Sequence, residues 1–117
     1  MKLRGRVKSG LNESAYWLSR FENLYTQKAG FKLFPGSLNV ELEKAFFLAE
    51  DCIRIELEEF KGEGSVVVMQ PCKVFDRKAF ILRTEPYSDN KIIEIVTDIK
   101  LRDLYNLKDG DEIEIEI

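Results

Sequence analysis

The sequence predicts a small, mainly β protein with short helices, folded as a single β-barrel. Short runs in which apolar and polar residues alternate recur along the chain, and such alternation is typical of strands that bury one face. Helical spacing of apolar residues is confined to two short segments. Glycine, proline, aspartate and asparagine separate the runs, as they do in turns. Many short strands with few helices are typical of small barrels whose strands are joined by helical crossovers.

The composition indicates one globular domain. The chain has 117 residues, of which 44% are hydrophobic and 33% charged, so it can build one core and is too apolar for a disordered protein. We therefore expect a single domain spanning residues 1–117. No apolar run approaches the ~20 residues that cross a bilayer, and the first residues lack the apolar core of a signal peptide. Both observations predict a cytoplasmic protein with no membrane partner.

Charge and residue usage exclude several classes of function. The net charge is −3 without a long basic run, which disfavours binding to nucleic acid. The chain has no histidine, so the usual general base, a Ser-His nucleophile and the commonest zinc ligand are all missing. The two cysteines, Cys52 and Cys72, do not form a zinc-binding pattern, and we expect them to be reduced.

The first part of the chain predicts strands around one short helix. Residues 3–8 alternate and predict a strand, and residues 15–18, two of which are aromatic, predict a second one. Residues 20–29 carry apolar residues at helical spacing and end at Gly30, so they predict a short helix. After a Pro-Gly turn, residues 37–42 alternate strictly and predict the next strand.

The second part of the chain predicts mostly strands. Residues 53–57 alternate and predict a half-buried strand. Residues 65–69 are apolar on both faces, so this strand should lie centrally and end at Pro71. The remaining predicted elements are a hairpin of residues 74–75 and 79–82, a buried strand at 92–96, a short helix at 101–107 and a last strand at 112–117.

Two neutral side chains follow the turn formed by Pro35 and Gly36. Ser37 and Asn39 lie two residues apart at the start of a strand, so they point to the same face. A hydroxyl and a carboxamide side by side suit a hard cation such as Mg²⁺, which binds oxygen ligands and keeps phosphates or waters in its other positions. The alternative is an ordinary turn, because serine and asparagine are common turn residues.

Glu94 is the carboxylate inside the buried strand predicted at residues 92–96. A carboxylate among apolar residues is costly unless it is paired or faces a site. Held in such a site, it would suit the role of a general base. The alternative is a position on the solvent-facing side of the strand, since strands alternate their faces.

Two further segments could bind phosphate. The small, polar residues of loop 9–14 allow close backbone approach, although a plain hairpin loop has the same composition. Lys100 and Arg102 lie at a predicted helix start, where cations oppose the helix dipole and would suit a bound anion. The alternative for these two cations is a charged turn that faces solvent.

Four aromatic residues lie close together in the sequence. Tyr16, Trp17, Phe21 and Tyr25 could stack on a planar ligand. The alternative is that they fill the core, because aromatic side chains dominate core burial.

Taken in order, these segments form a pattern that is more specific than any one of them. Its pieces are Gly5-x-Val7-x-Ser9-Gly10-Leu11-x-Glu13-x-x-Tyr16-x-Leu18-Ser19, Gly30-Phe31-x-x-Phe34-x-Gly36-Ser37-Leu38-Asn39, Ile92-Ile93-Glu94-Ile95, Lys100-Leu101-Arg102 and Asn106-Leu107-Lys108-Asp109-Gly110-Asp111. This pattern resembles the archaeal CTP-dependent riboflavin kinase family over essentially the whole chain, in the same order and with similar spacing.

The resemblance implies a fold, an activity and a set of ligands. The implied fold is a six-stranded cradle-loop β-barrel, related to RIFT barrels. The implied activity is transfer of the γ-phosphate of CTP to riboflavin, which gives FMN and CDP, with Mg²⁺ as the metal. The partners are then CTP/CDP and riboflavin/FMN, and we expect a monomer or a small homo-oligomer.

Residue by residue, the resemblance implies two substrate sites and a metal site. Ser37 and Asn39 match the threonine and asparagine that bind Mg²⁺ in the family's Gly-Thr-Leu-Asn motif. Glu94 matches a flavin-site glutamate near the phosphate-accepting end, which makes it the candidate catalytic base. Thr84 is the candidate for a flavin-contacting threonine. The family's nucleotide-binding segments are matched by Leu11, Asn12, Glu13, Ser14, Ala15 and Tyr16 and by Ile99, Lys100, Leu101 and Arg102.

The chain departs from the family at three places. Asn12 and Ser14 stand where the family's nucleotide loop commonly carries glycine, and Ser37 replaces threonine. Pro86 occupies the position of the flavin-contacting threonine, two residues after Thr84. The first departure keeps an alternative open, namely a barrel of the same fold that binds nucleotide or flavin without turnover or with altered specificity. A DNA-binding barrel, as in related cradle-loop proteins, is a third hypothesis, which the net charge of −3 disfavours.

Overall fold

The computed structural model describes residues 1–10, 13–49, 52–85 and 90–117. Strands dominate these ranges and the helices are short, which confirms the predicted mainly β class. The helices in the described ranges are too short or too polar to cross a bilayer. The strands are β1 (Lys2–Lys8), β2 (Leu38–Leu42), β3 (Ile53–Ile55), β4 (Val67–Val74), β5 (Arg77–Thr84), β6 (Ile92–Val96) and β7 (Glu112–Glu116). The helices are α1 (Glu13–Arg20), α2 (Glu22–Ala29) and α3 (Leu101–Leu104), and a 3₁₀ turn spans Leu57–Phe60.

Six antiparallel strands close into a barrel. Their order is β4-β5-β6-β2-β1-β7, and the circle closes where Lys73 of β4 pairs with Glu116 of β7. Within the described residues, β3 is the additional strand and pairs with the first residues of β4. The six-stranded barrel that the family resemblance implies is therefore confirmed.

Strand alternation fills the barrel interior with aliphatic side chains. Val40, Ile81, Ile95 and Ile115 are at most 1% exposed and belong to one apolar cluster. Neighbouring residues of a strand point to opposite faces, so the polar residues between these positions face outward. The outer face of β1, β2 and β6 is therefore the place where polar side chains of different strands can meet.

Helices α1 and α2 and the 3₁₀ turn pack on the outside of the barrel, whereas Leu101 of α3 joins the interior cluster. Leu18 of α1, Tyr25 of α2 and Phe60 of the 3₁₀ turn form a second apolar cluster with Met69 of β4 and Leu82 of β5. Strands β4 and β5 are therefore largely buried on both faces. A central strand buried on both faces is what the apolar run in β4 predicts.

The predicted strand at residues 15–18 is wrong, because this segment lies in α1. Ser14 and Leu18 are buried, whereas Tyr16 between them is 58% exposed. A strand would turn all three side chains to one face, while a helix brings residues i and i+4 together and turns residue i+2 away. Aromatic character alone does not distinguish the two periods over so short a run.

Several element boundaries also differ from the prediction; for example, β3 ends at Ile55 and not at residue 57. Strand β4 does not end at Pro71 but continues through it. Among the described residues, strand β3 pairs with β4 only as far as Met69 and β7 pairs with it only at Lys73, so no described ladder partner on this edge needs an N–H from Pro71. The last helix ends at Leu104, earlier than predicted, and Asn106 soon after adopts a left-handed backbone conformation.

Replacing Ile115 with alanine should destabilise the barrel. Its side chain is fully buried on β7, so truncation leaves a cavity that costs about 2–5 kcal/mol of unfolding free energy. Urea unfolding followed by circular dichroism measures the loss. Leu104→Ala is the matched control, because Leu104 is 55% exposed and its truncation should cost about 0.5 kcal/mol or less. Equal losses in the two variants would contradict the assigned core.

Candidate active site

Three polar side chains line up across neighbouring strands on the outside of the barrel. Asn39 of β2 pairs with Lys8 of β1 on one side and with Glu94 of β6 on the other. Residues paired in register point to the same face of a sheet. The inward positions beside them are taken by buried residues such as Val7 and Val40. Lys8, Asn39 and Glu94 therefore form one row across the outer face, which we call the polar row.

Glu94 ties helix α1 to the start of strand β2. Its Oε1 accepts a hydrogen bond from the Ser14 hydroxyl at 2.6 Å and another from the Ser37 hydroxyl at 2.9 Å. The side chain is half-buried, and two hydroxyl donors offset part of the cost of removing a carboxylate from water. The structure thus places Glu94 in a hydrogen-bonded site rather than at an open, solvent-facing position.

The Pro-Gly turn positions Ser37 next to the polar row. The Phe34 N–H donates to the Thr97 carbonyl at 2.8 Å, which anchors the turn to the end of β6. The Gly36 N–H donates back to the Phe34 carbonyl at 2.8 Å and closes a three-residue turn. Ser37 and Asn39 then line the same cavity, as their spacing in the sequence predicts.

The glycine after β1 makes room for the central member of the polar row. A Cβ atom on Gly10 would lie 2.0 Å from Nδ2 of Asn39, far inside contact distance. From the sequence, the small residues of this loop are expected to let a phosphate approach the backbone. In the structure, the group that lies close to Gly10 is the Asn39 carboxamide. Gly10 therefore helps to set the position of this side chain.

A cavity of about 390 Å³, the first cavity, opens beside the polar row. Lys8, Ser9 and Gly10 line it from the end of β1 and the loop that follows. It combines cations with neutral oxygen atoms, which suits a polyphosphate group. It brings together these residues with predicted site roles: Ala15, Ser37, Asn39, Ile99, Lys100, Leu101 and Arg102.

The cations of the first cavity are paired to different degrees. Arg102 donates to Asp109, whose other oxygen accepts a hydrogen bond from the Ser9 hydroxyl at 2.6 Å. The Ser9 hydrogen bond and then the Arg102 guanidinium lower the pKa of the Asp109 carboxyl, so Arg102 faces an ionised partner. The ammonium groups of Lys8 and Lys100 lie 3.9 Å from the carboxylates with which they pair, beyond hydrogen-bond distance.

A second cavity, of about 220 Å³, is lined by Glu94 and by Ser14. Thr84 also lines it, so both residues predicted to contact flavin share this cavity. The Ser37 hydroxyl that donates to Glu94 lines the first cavity. The carboxylate and its two hydrogen bonds therefore lie between the two cavities.

The aromatic residues are divided between the core and the second cavity. Trp17 and Tyr25 line the cavity, and Tyr25 also belongs to the apolar cluster under the helices. Burial, and then the charge of Glu94, raise the pKa of the Tyr25 phenol, so its hydroxyl stays protonated. Phe21 packs against the same apolar cluster, and Tyr16 is 58% exposed. The core interpretation therefore holds for Tyr25 and Phe21, whereas stacking on a planar ligand stays a prediction for the residues that line the cavity.

Part of the predicted nucleotide loop lies outside the described residues. Leu11 and Asn12 fall there, and so does Pro86 near the predicted flavin threonine. Helix α1 begins at Glu13, so the segment predicted as a loop up to residue 14 is already helical at its end. Ser14, which the family resemblance aligns with a common glycine, donates a hydrogen bond from its hydroxyl to the carboxylate of the polar row.

The donor set beside the polar row fits a hard cation held through neutral oxygens. Across the described ranges, no cluster of three or more carboxylate, cysteine or histidine side chains could hold a metal ion. The Ser37 hydroxyl donates its hydrogen bond to Glu94, so the lone pairs of the serine oxygen are left for a cation. Asn39 adds a carboxamide oxygen. Phosphate or water oxygens would complete such a coordination shell.

Lys8 is a cation of the first cavity that the predicted site does not include. In the sequence it is one more polar residue of an alternating strand. Its pairing with Asn39 follows from the register between β1 and β2, which depends on contacts between distant segments. The local signal that could have identified Lys8 as a site residue is its position directly before the Ser9-Gly10 loop.

Comparison with known proteins adds the family. The family model named CTP-dep_RFKase, with the description "Domain of unknown function DUF120", matches residues 7–117. The match therefore includes every strand of the barrel except the first residues of β1.

Curated relatives agree with this match. A protein named riboflavin kinase from Methanocella arvoryzae is 36% identical over 98% of this chain and 56% of its own length. One of the same name from Pyrobaculum aerophilum is 32% identical over 100% of this chain and 60% of its own length. One from Staphylothermus marinus is 30% identical over 100% of this chain and 92% of its own length. The chain thus spans little more than half the length of the first two, and it belongs to the CTP-dependent riboflavin kinase family.

Proposed function

We propose that this chain is a riboflavin kinase that transfers the γ-phosphate of CTP to riboflavin and releases FMN and CDP. The observation that carries the proposal is the position of Glu94 between two cavities. Its carboxylate lines the second cavity, and the Ser37 hydroxyl bonded to it lines the first. A nucleotide in the first cavity and a flavin in the second would meet at this carboxylate.

The first cavity suits the triphosphate of the nucleotide. Phosphoryl transfer needs little covalent chemistry from the protein and depends on positioning and on neutralising charge. Lys100 and Arg102 supply positive charge on one wall of this cavity. The family's name supports CTP as the donor, and the segments at residues 11–16 and 99–102 are assigned to the nucleotide by family resemblance.

The second cavity suits the flavin. The indole of Trp17 and the phenol of Tyr25 line it, and aromatic walls favour a planar ring. Thr84 offers a hydroxyl to the ring or to the ribityl chain. The relatives named riboflavin kinase support riboflavin as the acceptor.

Glu94 is then the general base. Its carboxylate accepts the proton of the terminal ribityl hydroxyl while that oxygen bonds to the γ-phosphorus, and the bond from phosphorus to the bridging oxygen breaks to release CDP. Both serine hydrogen bonds go to Oε1, so Oε2 is the oxygen proposed to accept the proton. Ser14 and Ser37 hold the carboxylate in place for this transfer.

Ser37 and Asn39 are the residues proposed to hold Mg²⁺. The bound metal would neutralise negative charge on the phosphates. The hydrogen bond from Ser37 to Glu94 fixes the direction of the serine lone pairs. Gly10 keeps the Asn39 carboxamide in its position by leaving space for it.

The alternative function is a barrel that binds ligands without turnover. It is based on Asn12 and Ser14, which stand where the family's nucleotide loop commonly carries glycine. The Ser14 hydroxyl donates to Glu94 at 2.6 Å, so this substitution supports the proposed base. The DNA-binding alternative finds little support in the charges of β1. There Lys2 and Arg6 are already paired with glutamates of β7 at 3.2 Å.

Incubation with riboflavin, Mg²⁺ and either CTP or ATP tests the proposed function. We expect FMN, separated by chromatography, with CTP and much less with ATP. If FMN forms with ATP but not with CTP, the phosphate donor is ATP and not CTP. Tight binding of flavin or nucleotide without FMN from either donor would contradict the kinase and favour the binding barrel.

Replacing Glu94 with glutamine should lower turnover about 10²- to 10⁴-fold, because the amide cannot accept the proton. Flavin binding should change little, since glutamine can still accept the bonds from Ser14 and Ser37. Quenching of Trp17, the one tryptophan of the chain, measures flavin binding. Glu63→Gln is the matched control, because Glu63 lines the same cavity but bonds to Arg20. A loss of binding with turnover retained would make Glu94 a binding residue only.

Asn39→Ala should lower turnover strongly and weaken its dependence on Mg²⁺, because it removes a proposed metal ligand. Gly10→Ala should act in the same direction, since its Cβ would displace the Asn39 carboxamide. Initial rates over a Mg²⁺ titration measure both effects, and urea unfolding checks that the variants are folded. Unchanged Mg²⁺ dependence in both variants would remove Asn39 from the metal site.

A further inference from the structure

We propose that Lys8 contacts the substrate and binds the terminal phosphate of the nucleoside triphosphate. The inference rests on the proposed function, because it requires a nucleotide in the first cavity. It adds a cation that neither the sequence pattern nor the family resemblance assigns to the site.

Lys8 differs from the other cations on its face of β1. Lys2, Arg4 and Arg6 each pair with a glutamate of β7 at 3.2–3.4 Å. Strand β7 pairs with β1 only as far as Arg6, so Lys8 extends past the end of β7. Its side chain lines the first cavity instead.

The ion pair of Lys8 holds it loosely. Its Nζ lies 3.9 Å from Oε2 of Glu41, and both side chains are about half exposed, so water and salt screen the attraction. A lysine on a flexible stem can exchange such a partner for a phosphate. Arg102, in contrast, is bonded to Asp109 at the same cavity.

The polar row determines which phosphate Lys8 meets. Neighbouring strands lie ~4.8 Å apart, so the backbones of Lys8 and Glu94 are about 10 Å apart, with Asn39 between them. The phosphate that is transferred must approach the proton acceptor Glu94. A phosphate over Asn39 is then close to Glu94 on one side and within reach of the lysine stem on the other. The terminal phosphate is therefore the one that Lys8 binds.

This position also gives Lys8 a part in the transfer step. During phosphoryl transfer, negative charge spreads over the equatorial oxygens of the moving group. An ammonium group held beside these oxygens stabilises the charge. Loss of the ammonium should therefore lower kcat as well as weaken binding of the triphosphate.

Nucleotide binding by two matched variants tests the proposal. Calorimetry without riboflavin measures Kd for CTP, CDP, CMP and ATP with the unsubstituted chain, Lys8→Met and Glu41→Gln. We expect Lys8→Met to weaken CTP binding about 10- to 100-fold, as for a lost charge-assisted hydrogen bond, and to leave CMP binding unchanged. Glu41→Gln breaks the same ion pair but keeps the ammonium, so it should bind CTP at least as well as the unsubstituted chain.

Kinetics with further variants distinguish a contact between Lys8 and the substrate from a structural role of Lys8. Lys8→Arg keeps the charge and should restore most of the kcat that Lys8→Met loses. Lys2→Met is the control on the same strand face, because Lys2 pairs with Glu114 away from the cavity, and it should leave kcat and KM unchanged. Urea unfolding checks each variant, and Lys8→Gln replaces Lys8→Met if the latter does not fold.

The outcomes distinguish this inference from the proposed function. Equal CTP affinity in Lys8→Met and the unsubstituted chain would overturn the role of Lys8 alone. Equal losses in Lys8→Met and Glu41→Gln would also overturn it, because the ion pair would then be structural. If the unsubstituted chain binds neither CTP nor ATP, the kinase proposal and the role of Lys8 both fail.

Discussion

Oε1 of Glu94 accepts hydrogen bonds from Ser14 and Ser37, which lie 80 and 57 positions away in the sequence. A half-buried carboxylate is costly without donors, so helix α1 and the turn before β2 are both held against strand β6. The same bonds form the boundary between the first and second cavities. The boundary at which we propose that nucleotide and flavin meet therefore depends on the hydrogen bonds to this one oxygen atom.

The strand register determines which side chains face the core and which form the polar row on the surface. Val40, Ile93 and Ile95 are at most 1% exposed, and a slip by one residue would turn them outward and turn Asn39 and Glu94 into the barrel. Such a slip is costly because it exposes aliphatic surface and buries a charge. The aliphatic core thus keeps the polar row on the outer face, which links the stability of the barrel to the geometry of the site.

Local patterns predict the parts of the structure that depend on local geometry. Strands β2 and β7 alternate between a buried and a more exposed face, so their period is visible in the sequence. Residues 15–18 are different, because their helix packs on a cluster built from distant strands. Within the site, the spacing of Ser37 and Asn39 predicts that they share a cavity. The partners of Glu94 and the register of Lys8 follow from pairing between distant segments, which no local pattern contains.

The polar side chains of the candidate site include no histidine, since the chain has none. Lysine, serine and asparagine keep one charge state near neutral pH, so they suit a reaction that needs steady charge and oxygen ligands more than proton shuttling. In the proposed reaction, Glu94 is the residue that accepts the proton. Arg102 is held by Asp109 and shapes the wall of the first cavity, whereas Lys8 and Lys100 pair only at 3.9 Å. Because loosely paired ammonium groups lose little on leaving their partners, these two lysines are the cations best able to contact the moving phosphate in the proposed reaction.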